Sequence, residues 1–157
     1  MATKSNILTK GGVLLLGSDF KLQQSVRAAL QAEKYDVLPV TDCNEAQELL
    51  DTGLIEILVV DTDGAPERVE PWLAWLTAQR QQLRVIGLYE PRNGIPRADL
   101  AGVSVWLEKP LQLGRLVAAV NGLLAARRSE IFREELLRRQ DSPFFSLMGY
   151  RHWGLNE

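Results

Sequence analysis

The sequence predicts an α/β protein built on a doubly wound, five-stranded parallel sheet. Short apolar runs of strand length alternate along the chain with segments whose apolar residues recur at helical spacing. Such alternation is typical of βαβ units, in which a helix connects two parallel strands. The 157 residues suffice for one domain with an appended segment. We expect a flexible lead over residues 1–11, a domain over 12–127, and a helical extension with an aromatic tail over 128–157.

The strands and helices can be located from these patterns. The predicted strands, in chain order, are Val13–Leu16, Tyr35–Val40, Ile57–Val60, Val85–Leu88 and Val103–Leu107. The predicted helices are Phe20–Glu33, one that starts at Asp42 and ends at Gly53, one with Pro71 in its first turn, a short one near Arg97–Ala101, and one from Leu111 to Gln140. Ile57–Val60 is the most apolar strand, so we expect it at the sheet centre, where both faces are covered.

Residues at helical spacing give the longer predicted helices a buried side. The predicted sides are Leu22, Val26, Ala29 and Leu30; Ala46, Leu49 and Leu50; Trp72, Trp75, Leu76 and Gln79; and Leu113, Leu116, Val117, Val120, Leu123 and Leu124. Asp42 and Glu45 have the spacing of a capping box, in which side chains satisfy the first backbone N–H groups of a helix. Tryptophans at helical spacing are more typical of packing than of a ligand site.

Composition and charge argue against several classes of function. The formal net charge is −2, whereas nucleic-acid binding usually needs a clustered basic face. No apolar stretch reaches the roughly 20 residues of a membrane-spanning helix, and we expect a cytoplasmic protein. Cys43 is the single cysteine, which excludes an internal disulfide and a cysteine-rich zinc site. His152 is the single histidine, which argues against a histidine-ligated metal and against triad chemistry.

The residues that directly follow the predicted strands carry most of the functional information. They are Gly17, Ser18 and Asp19; Asp61, Thr62 and Asp63; Tyr89 and Glu90; and Lys109 and Pro110. In a doubly wound sheet, ligands and chemistry lie at the carboxyl ends of the strands. Asp61 and Lys109 therefore offer the two groups that a phosphoryl switch needs, a carboxylate nucleophile and a cation that holds phosphoryl oxygens.

This set of strand ends resembles the response-regulator receiver domain, the phosphoacceptor part of bacterial two-component signalling. The resemblance covers residues 12–127 and rests on the order of elements, on Asp61 after the third strand and on Lys109-Pro110 after the fifth. The segment Asp42–Leu50 is also similar to the start of the family's second helix. The resemblance implies a flavodoxin-like topology with strand order 2-1-3-4-5 and a role in a phosphorelay.

In that family the central aspartate takes a phosphoryl group from a histidine kinase, and a magnesium ion neutralises the developing charge. The resemblance matches Asp61 to this phosphoacceptor and Lys109 to the lysine that pairs with the phosphoryl group. Asp63 stands where a backbone carbonyl would bind the metal. The family's acidic pair after the first strand is replaced by Gly17 and Ser18, which offer no carboxylate to magnesium.

Asp19 is the acidic residue nearest to the missing pair. It lies one residue too late, where the first helix begins, so we expect it to cap that helix by accepting backbone N–H groups. The alternative is that Asp19 reaches into the pocket and holds magnesium together with Asp61 and Asp63. Without a metal, phosphoryl transfer loses the main stabiliser of its transition-state charge.

Two aromatic residues also depart from the family pattern. Tyr89 stands where receivers have a threonine or serine. We expect it to fill the pocket with its hydroxyl on Lys109 or Asp61; the alternative is a half-buried ring with its hydroxyl in water. Trp106 occupies the place of the family's switch aromatic, and we expect its ring to be fixed.

These departures favour a degenerate member of the family, a pseudo-receiver. We predict a non-enzymatic signalling or adaptor protein that acts through protein contacts and binds no cofactor, with Lys109 and Asp61 as a structural ion pair. The alternative is a single-domain response regulator that is phosphorylated on Asp61 with magnesium. A flavodoxin-like cofactor enzyme has little support, because no glycine-rich phosphate loop follows the first strand.

The segment beyond Arg127 is the predicted interaction surface. Its residues are Ile131, Phe132, Leu136, Phe144, Phe145 and Trp153. The first three form a stripe on the extended helix, and the others belong to a tail that is rich in aromatics, unlike most disordered tails. The sequence leaves three arrangements open. The tail packs on the protein itself, the last helix forms a homodimer, or the segment docks on another protein. We expect neither nucleic acid nor a membrane as a partner.

Overall fold

The computed structural model of the protein describes residues 11–63, 66–80, 82–93 and 102–139. Its strands are β1 (Gly12–Leu16), β2 (Asp36–Val40), β3 (Ile57–Asp61), β4 (Arg84–Tyr89) and β5 (Val105–Glu108). Its helices are α1 (Phe20–Ala32), α2 (Cys43–Leu50), α3 (Pro66–Gln79) and α4 (Leu113–Arg138), with a 3₁₀ turn at Pro91–Asn93. The predicted helix Arg97–Ala101 and the tail residues Phe144, Phe145 and Trp153 lie outside the described residues.

All five strands pair in parallel, in the order β2-β1-β3-β4-β5. β3 lies between β1 and β4, and each of its residues is buried. The predicted fold class, strand order and central third strand are therefore confirmed. The registers pair Leu16 with Val60 and Asp61 with Leu88. Because these strands end at nearly the same level, the residues after them meet at one edge of the sheet.

Two helices begin at the N-caps that the sequence predicts. The Asp19 carboxylate accepts a hydrogen bond from the backbone N–H of Leu22 at 3.1 Å. Asp42 caps α2 in the same way, with the N–H of Glu45 2.8 Å from its carboxylate oxygen. Each bond satisfies one of the backbone donors that the first turn of a helix otherwise leaves without a helical partner.

α1 ends in a Schellman motif. The N–H of Tyr35 donates to the carbonyl of Leu30 at 3.1 Å, and the N–H of Lys34 donates to the carbonyl of Gln31 at 3.0 Å. These are the two bonds that define the motif. Lys34 has a φ of 75°, a left-handed conformation that glycine adopts at much lower cost. The chain then enters β2 directly.

α3 begins at Pro66 and contains Pro71 in its interior, so the prediction that Pro71 lies in the first turn is wrong. Proline favours the first turn because its fixed φ suits the helix and its missing N–H has no helical partner there. Pro66 already meets both conditions at the start of α3. Pro71 therefore lies more than one turn inside the helix and removes one main-chain hydrogen bond.

The buried side of α3 also differs from the predicted one. Its buried residues are Val69, Leu73 and Leu76. Trp75 is 51% exposed and Gln79 is exposed, so their predicted burial is wrong. Trp72 is half-buried and donates its indole N–H to Gln47 at 3.1 Å. Apolar residues occur on more than one side of this helix, and the compact aliphatic side chains are the ones that enter the core.

α4 spans the boundary between two compact units of the chain, the first of which ends at Asn121. The fully buried residues of α4 are Leu116, Val120 and Leu124. Further along the helix, the largely exposed apolar residues are Ile131, Phe132 and Leu137. None of the described helices combines the length and the hydrophobicity that crossing a membrane requires.

Candidate functional site

Lys109 joins two carboxylates at the carboxyl end of the sheet. Its Nζ lies 2.9 Å from Oδ1 of Asp61 and 2.9 Å from Oδ2 of Asp63. The side chains are largely withdrawn from solvent, with exposed fractions of 16% for Lys109, 6% for Asp61 and 20% for Asp63. The sequence predicts the ion pair between Lys109 and Asp61. The contact of Lys109 with the Asp63 side chain was not predicted from the sequence.

The ends of β3 and β5 position these groups. Asp61 is the last residue of β3, and Lys109 directly follows β5, where its N–H donates to the carbonyl of Tyr89 at 2.8 Å. The Lys109–Pro110 peptide bond is cis. The N–H of Asp63 donates to Oδ1 of Asp61 at 3.0 Å. This bond closes a short turn after β3, and that turn brings the Asp63 carboxylate back to Lys109.

Hydrogen bonds keep Asp63 and Lys109 in their charged forms. Burial alone would raise the pKa of Asp63, but the contact with the Lys109 ammonium group and hydrogen bonds from Asn93 and the backbone of Glu90 lower that pKa below its ordinary value. The Asn93 amide donates to Oδ1 of Asp63 at 3.3 Å. Burial alone would lower the pKa of Lys109, but its hydrogen bond to Asp61 and the attraction of the Asp61 and Asp63 carboxylates raise it. Oδ2 of Asp63 lacks a well-directed hydrogen bond among the described residues, so its contact with Lys109 is mainly ionic.

The loop after β1 brings no carboxylate to this site. Gly17 packs directly on Asp61, and a Cβ at Gly17 would lie 3.0 Å from the Asp61 Cβ. An acidic side chain at this position therefore requires Asp61 or its neighbours to shift. Asp19 is used as the N-cap of α1. Within the described ranges, no cluster of three or more His, Cys, Asp or Glu residues has an arrangement that could hold a metal ion.

A buried glutamine of α1 fixes the Gly17 loop. The Nε2 of Gln23 lies 2.9 Å from the carbonyl oxygen of Gly17 and 2.9 Å from that of Val40. A third carbonyl, that of Leu15, lies at 3.4 Å. Because the amide has two N–H groups, the two short contacts are the main hydrogen bonds and the third is weaker. Gln23 could not be singled out from the sequence, since a glutamine on an amphipathic helix is typical of the solvent side.

Tyr89 and Trp106 pack against each other. Their ring centroids are 6.1 Å apart and the ring planes meet at 84°, the edge-to-face geometry that aromatic pairs prefer. Trp106 also covers Gly87, where a Cβ would lie 2.2 Å from the indole ring. Among the described residues, no hydrogen bond joins the Tyr89 hydroxyl to Lys109 or Asp61, so the predicted hydroxyl contact is not formed. The ring of Tyr89 packs on Trp106 instead.

A cavity of about 300 Å³ lies beside Asp61. Its lining includes Gly17 and Ser18 from the β1 end and Arg68 from α3. Cys43 also lines it, and burial raises the pKa of its thiol, with the Asp42 carboxylate adding to this effect and Arg68 opposing it. The thiol is thus protonated near neutral pH and is a poor nucleophile.

Comparison with solved structures identifies this arrangement of strands and helices. The receiver domain of the Francisella response regulator 1452 superposes with a TM-score of 0.64 at 23% sequence identity, covering 74% of this chain and 98% of that domain. A response regulator receiver domain protein from Clostridium thermocellum gives a TM-score of 0.66 at 16% identity, covering 75% and 97% of the two chains. The chain has the fold of a receiver domain.

The same fold is seen in the chemotaxis response regulator CheY4 of Vibrio cholerae. Its TM-score is 0.62 at 18% identity, and the match covers 73% of this chain and 99% of that protein. No protein-family model and no curated protein sequence matches the chain. The identities are low, so these likenesses establish the receiver fold, and the function must be argued from the site.

Proposed function

We propose that the protein is a non-enzymatic pseudo-receiver, a signalling or adaptor protein that acts through protein contacts without magnesium-dependent phosphorylation of Asp61. The observation that carries this proposal is the position of Lys109, whose ammonium group contacts both Asp61 and Asp63 at 2.9 Å. The receiver fold of response regulators supports a role in the same kind of signalling.

Charge around Asp61 argues against a phosphoryl switch. The site holds two carboxylates and one ammonium group, and a phosphoryl group would add between about one and two further negative charges. A metal ion is the usual means of neutralising such charge, and its effect on the transition state amounts to several kcal/mol. Gly17 and Ser18 supply no carboxylate for that ion, and Gly17 lies against Asp61.

The aromatic pair supports a single fixed conformation of the β4–β5 region. Switching in receivers, by the resemblance, involves a rotamer change of the aromatic residue that corresponds to Trp106. In this protein the Trp106 ring fills the space over Gly87 and contacts Tyr89. Moving the ring would open a void in packed structure, which is costly. We infer that this region presents one surface rather than two.

The exposed part of α4 is the surface that we propose for a protein partner. Phe132 is 67% exposed and Ile131 is 53% exposed, and contiguous exposed apolar surface is typical of interaction sites. Arginines and glutamates alternate around them, so the surface lacks the uniform positive charge that nucleic acid favours. A signalling or regulatory protein therefore fits this surface better than nucleic acid.

Treatment with a phosphodonor tests the proposal. The protein is incubated with acetyl phosphate and magnesium, or with beryllofluoride and magnesium, beside a phosphorylatable receiver as positive control. We expect no mass increase of the intact protein and no change in tryptophan fluorescence, while the control responds. A stable adduct on Asp61 that is lost in Asp61→Ala would overturn the proposal.

The alternative function is a phosphorylatable single-domain response regulator that uses magnesium. One observation favours it: Asp61 lines a cavity of about 300 Å³, which gives a small phosphodonor room beside the carboxylate. In that case Asp19 or Asp63 must supply metal ligands, and each is engaged elsewhere, Asp19 as a helix cap and Asp63 with Lys109. The same phosphodonor experiment separates the two functions.

A further inference from the structure

The cavity beside Asp61 has a buried carboxylate in its floor and polar residues at its rim. Its volume is about 300 Å³, close to the liquid volume of about ten water molecules. Asp61 and Val69 are buried members of its lining, whereas Ser18, Asp42 and Arg68 line it and are exposed. The cavity therefore opens to solvent on the side of these polar residues. Its size suits a ligand of roughly ten non-hydrogen atoms or fewer, and a nucleotide is too large for it.

Asp61 turns one of its two carboxylate oxygens toward this cavity. Its Oδ1 accepts hydrogen bonds from Lys109 at 2.9 Å and from the N–H of Asp63 at 3.0 Å. Its Oδ2 lies on the side of Gly17, 3.8 Å from the position that a Cβ on Gly17 would take, and Gly17 lines the cavity. Among the described residues, no hydrogen bond reaches this Oδ2. An acceptor of this kind can take a charged donor from a bound molecule.

Arg68 supplies the opposite charge at the rim. It forms neither an ion pair nor a hydrogen bond with the parts of the chain that the structure describes. Its charge acts inside the cavity nevertheless. Burial is the main cause of the raised pKa of the Cys43 thiol, which lines the cavity, and the charge of Arg68 opposes that rise. A guanidinium group matches the geometry of a carboxylate, so Arg68 is suited to hold the anionic end of a small ligand.

We propose that this cavity binds a small amino acid or a related zwitterion, with its ammonium group on Oδ2 of Asp61 and its carboxylate on Arg68. The two protein groups have opposite charges and face one cavity, so a single zwitterionic ligand pairs with both. The proposal goes beyond the proposed function, because protein contacts on α4 do not require a ligand in this cavity.

The charges of the lining favour a zwitterion over a simple ion. Asp61 and Asp42 both line the cavity, so a ligand with only a negative charge would lie beside two like charges. Lys109 is directed at Oδ1 of Asp61 and at Asp63, so it does not offset this repulsion on the Oδ2 side. A ligand with only a positive charge would pair with Asp61 but lie close to the like charge of Arg68. A zwitterion places each of its charges beside an opposite one.

Amide NMR titration of the ¹⁵N-labelled full-length chain tests the proposal. The probes are glycine, β-alanine and γ-aminobutyrate, which separate ammonium and carboxylate by different lengths. Propylammonium and propionate are matched controls, because each keeps only one of the two charged groups. Ligands this small bind with a Kd on the order of 1 mM. We expect at least one amino acid to shift the amide signals of Gly17, Ser18 and Asn44 saturably, and both controls to bind about tenfold more weakly or worse.

Three variants assign the contacts. Asp61→Asn keeps the shape of the side chain but removes its charge, so it should weaken binding about tenfold or more. Asp63→Asn is the matched control: it takes an equal charge from the contact with Lys109, and Asp63 is not part of the cavity lining that the structure describes. It should leave the Kd within about threefold. Arg68 is exposed, so Arg68→Gln should fold normally and should bind the amino acid no better than propylammonium.

Several results would overturn the proposal. One is that none of the three amino acids gives a saturable shift of these amide signals. Propionate that binds as tightly as the amino acid would indicate an anion site instead, and propylammonium that does so would indicate a simple cation site. Equal loss of binding in Asp61→Asn and Asp63→Asn would contradict the contact with Asp61. None of these results depends on whether acetyl phosphate modifies Asp61, so this proposal and the proposed function fail independently.

Discussion

The positive charge of Lys109 offsets the negative charge of the carboxylates at the strand ends. Asp61 is only 6% exposed, and a buried carboxylate without a partner costs several kcal/mol. With Lys109 in place, the ammonium group compensates Asp61 directly and Asp63 in part. The lysine therefore stabilises the folded protein.

The sequence identifies the Asp61–Lys109 pair but not the contacts of Asp63 and Asn93. Asp61 and Lys109 follow strands whose ends are aligned by the sheet, and the order of the strands follows from the alternation of elements. Asp63 reaches Lys109 only because its N–H bonds to Asp61, and Asn93 lies in a 3₁₀ turn. Loop conformations of this kind leave no periodic pattern in a sequence.

The Asp63 carboxylate affects the stability of the protein in acid. The pKa of Asp63 is lower in the folded protein than in the unfolded chain, so Asp63 contributes stability above the ordinary aspartate pKa of about 3.9. That contribution is lost as pH falls through the lower, folded pKa. Asp63→Asn should therefore flatten the dependence of unfolding free energy on pH below about 4, as measured by urea unfolding at several pH values. An unchanged dependence would contradict the charge assignment of Asp63.

The start of α1 determines the geometry around Gly17. Asp19 fixes its first turn, and Gln23 of the same helix binds the carbonyls of Gly17 and Val40. The Gly17 loop is thus bonded to α1 and is linked through Gln23 to β2. In a phosphorylated receiver, this loop would carry the acidic pair. Side-chain amides that bind backbone carbonyls in this way cannot be identified from residue type and spacing.

The C-terminal end of α1 provides a prediction about stability. Lys34 has a left-handed φ of 75°, which a residue with a Cβ adopts at a cost. Lys34→Gly should raise the unfolding free energy by about 0.5–1 kcal/mol, measured by urea unfolding. The matched control is Gly53→Ala: Gly53 has φ 76° and open space around it, so this change should lower stability by about 1 kcal/mol. A loss of stability in Lys34→Gly would contradict the assigned helix end.

α3 shows where periodicity is ambiguous. Its segment contains two prolines and two tryptophans among aliphatic residues, so more than one start and more than one buried side satisfy helical spacing. The structure selects Val69, Leu73 and Leu76 for the core. Packing against the sheet determines which side of α3 is buried. That packing depends on how the side chains of α3 and of the sheet fit together, and not on the sequence of the helix alone.

The fold of the whole molecule can be predicted from the pattern of its sequence. The chemistry of the site at the ends of the strands cannot be predicted from that pattern. Alternating strands and helices, with Ile57–Val60 the most apolar run, are sufficient to predict the sheet and the position of its central strand. The fold places Asp61 and Lys109 where a receiver has its phosphorylation site, yet Gly17 and Ser18 give that site a different composition. The receiver fold therefore forms in a chain whose first strand is followed by Gly17 and Ser18.

We propose that Asp61 and Lys109 form a structural ion pair. A double-mutant cycle measured by urea unfolding tests it most directly, using Lys109→Met, Asp61→Asn and the double variant. Lys109→Met alone should cost about 3 kcal/mol, because it leaves two neighbouring carboxylates without their cation. Adding Asp61→Asn should restore part of that loss, giving a coupling energy of about 2 kcal/mol. A coupling energy below about 0.5 kcal/mol, or a gain in stability from Lys109→Met, would contradict the claim.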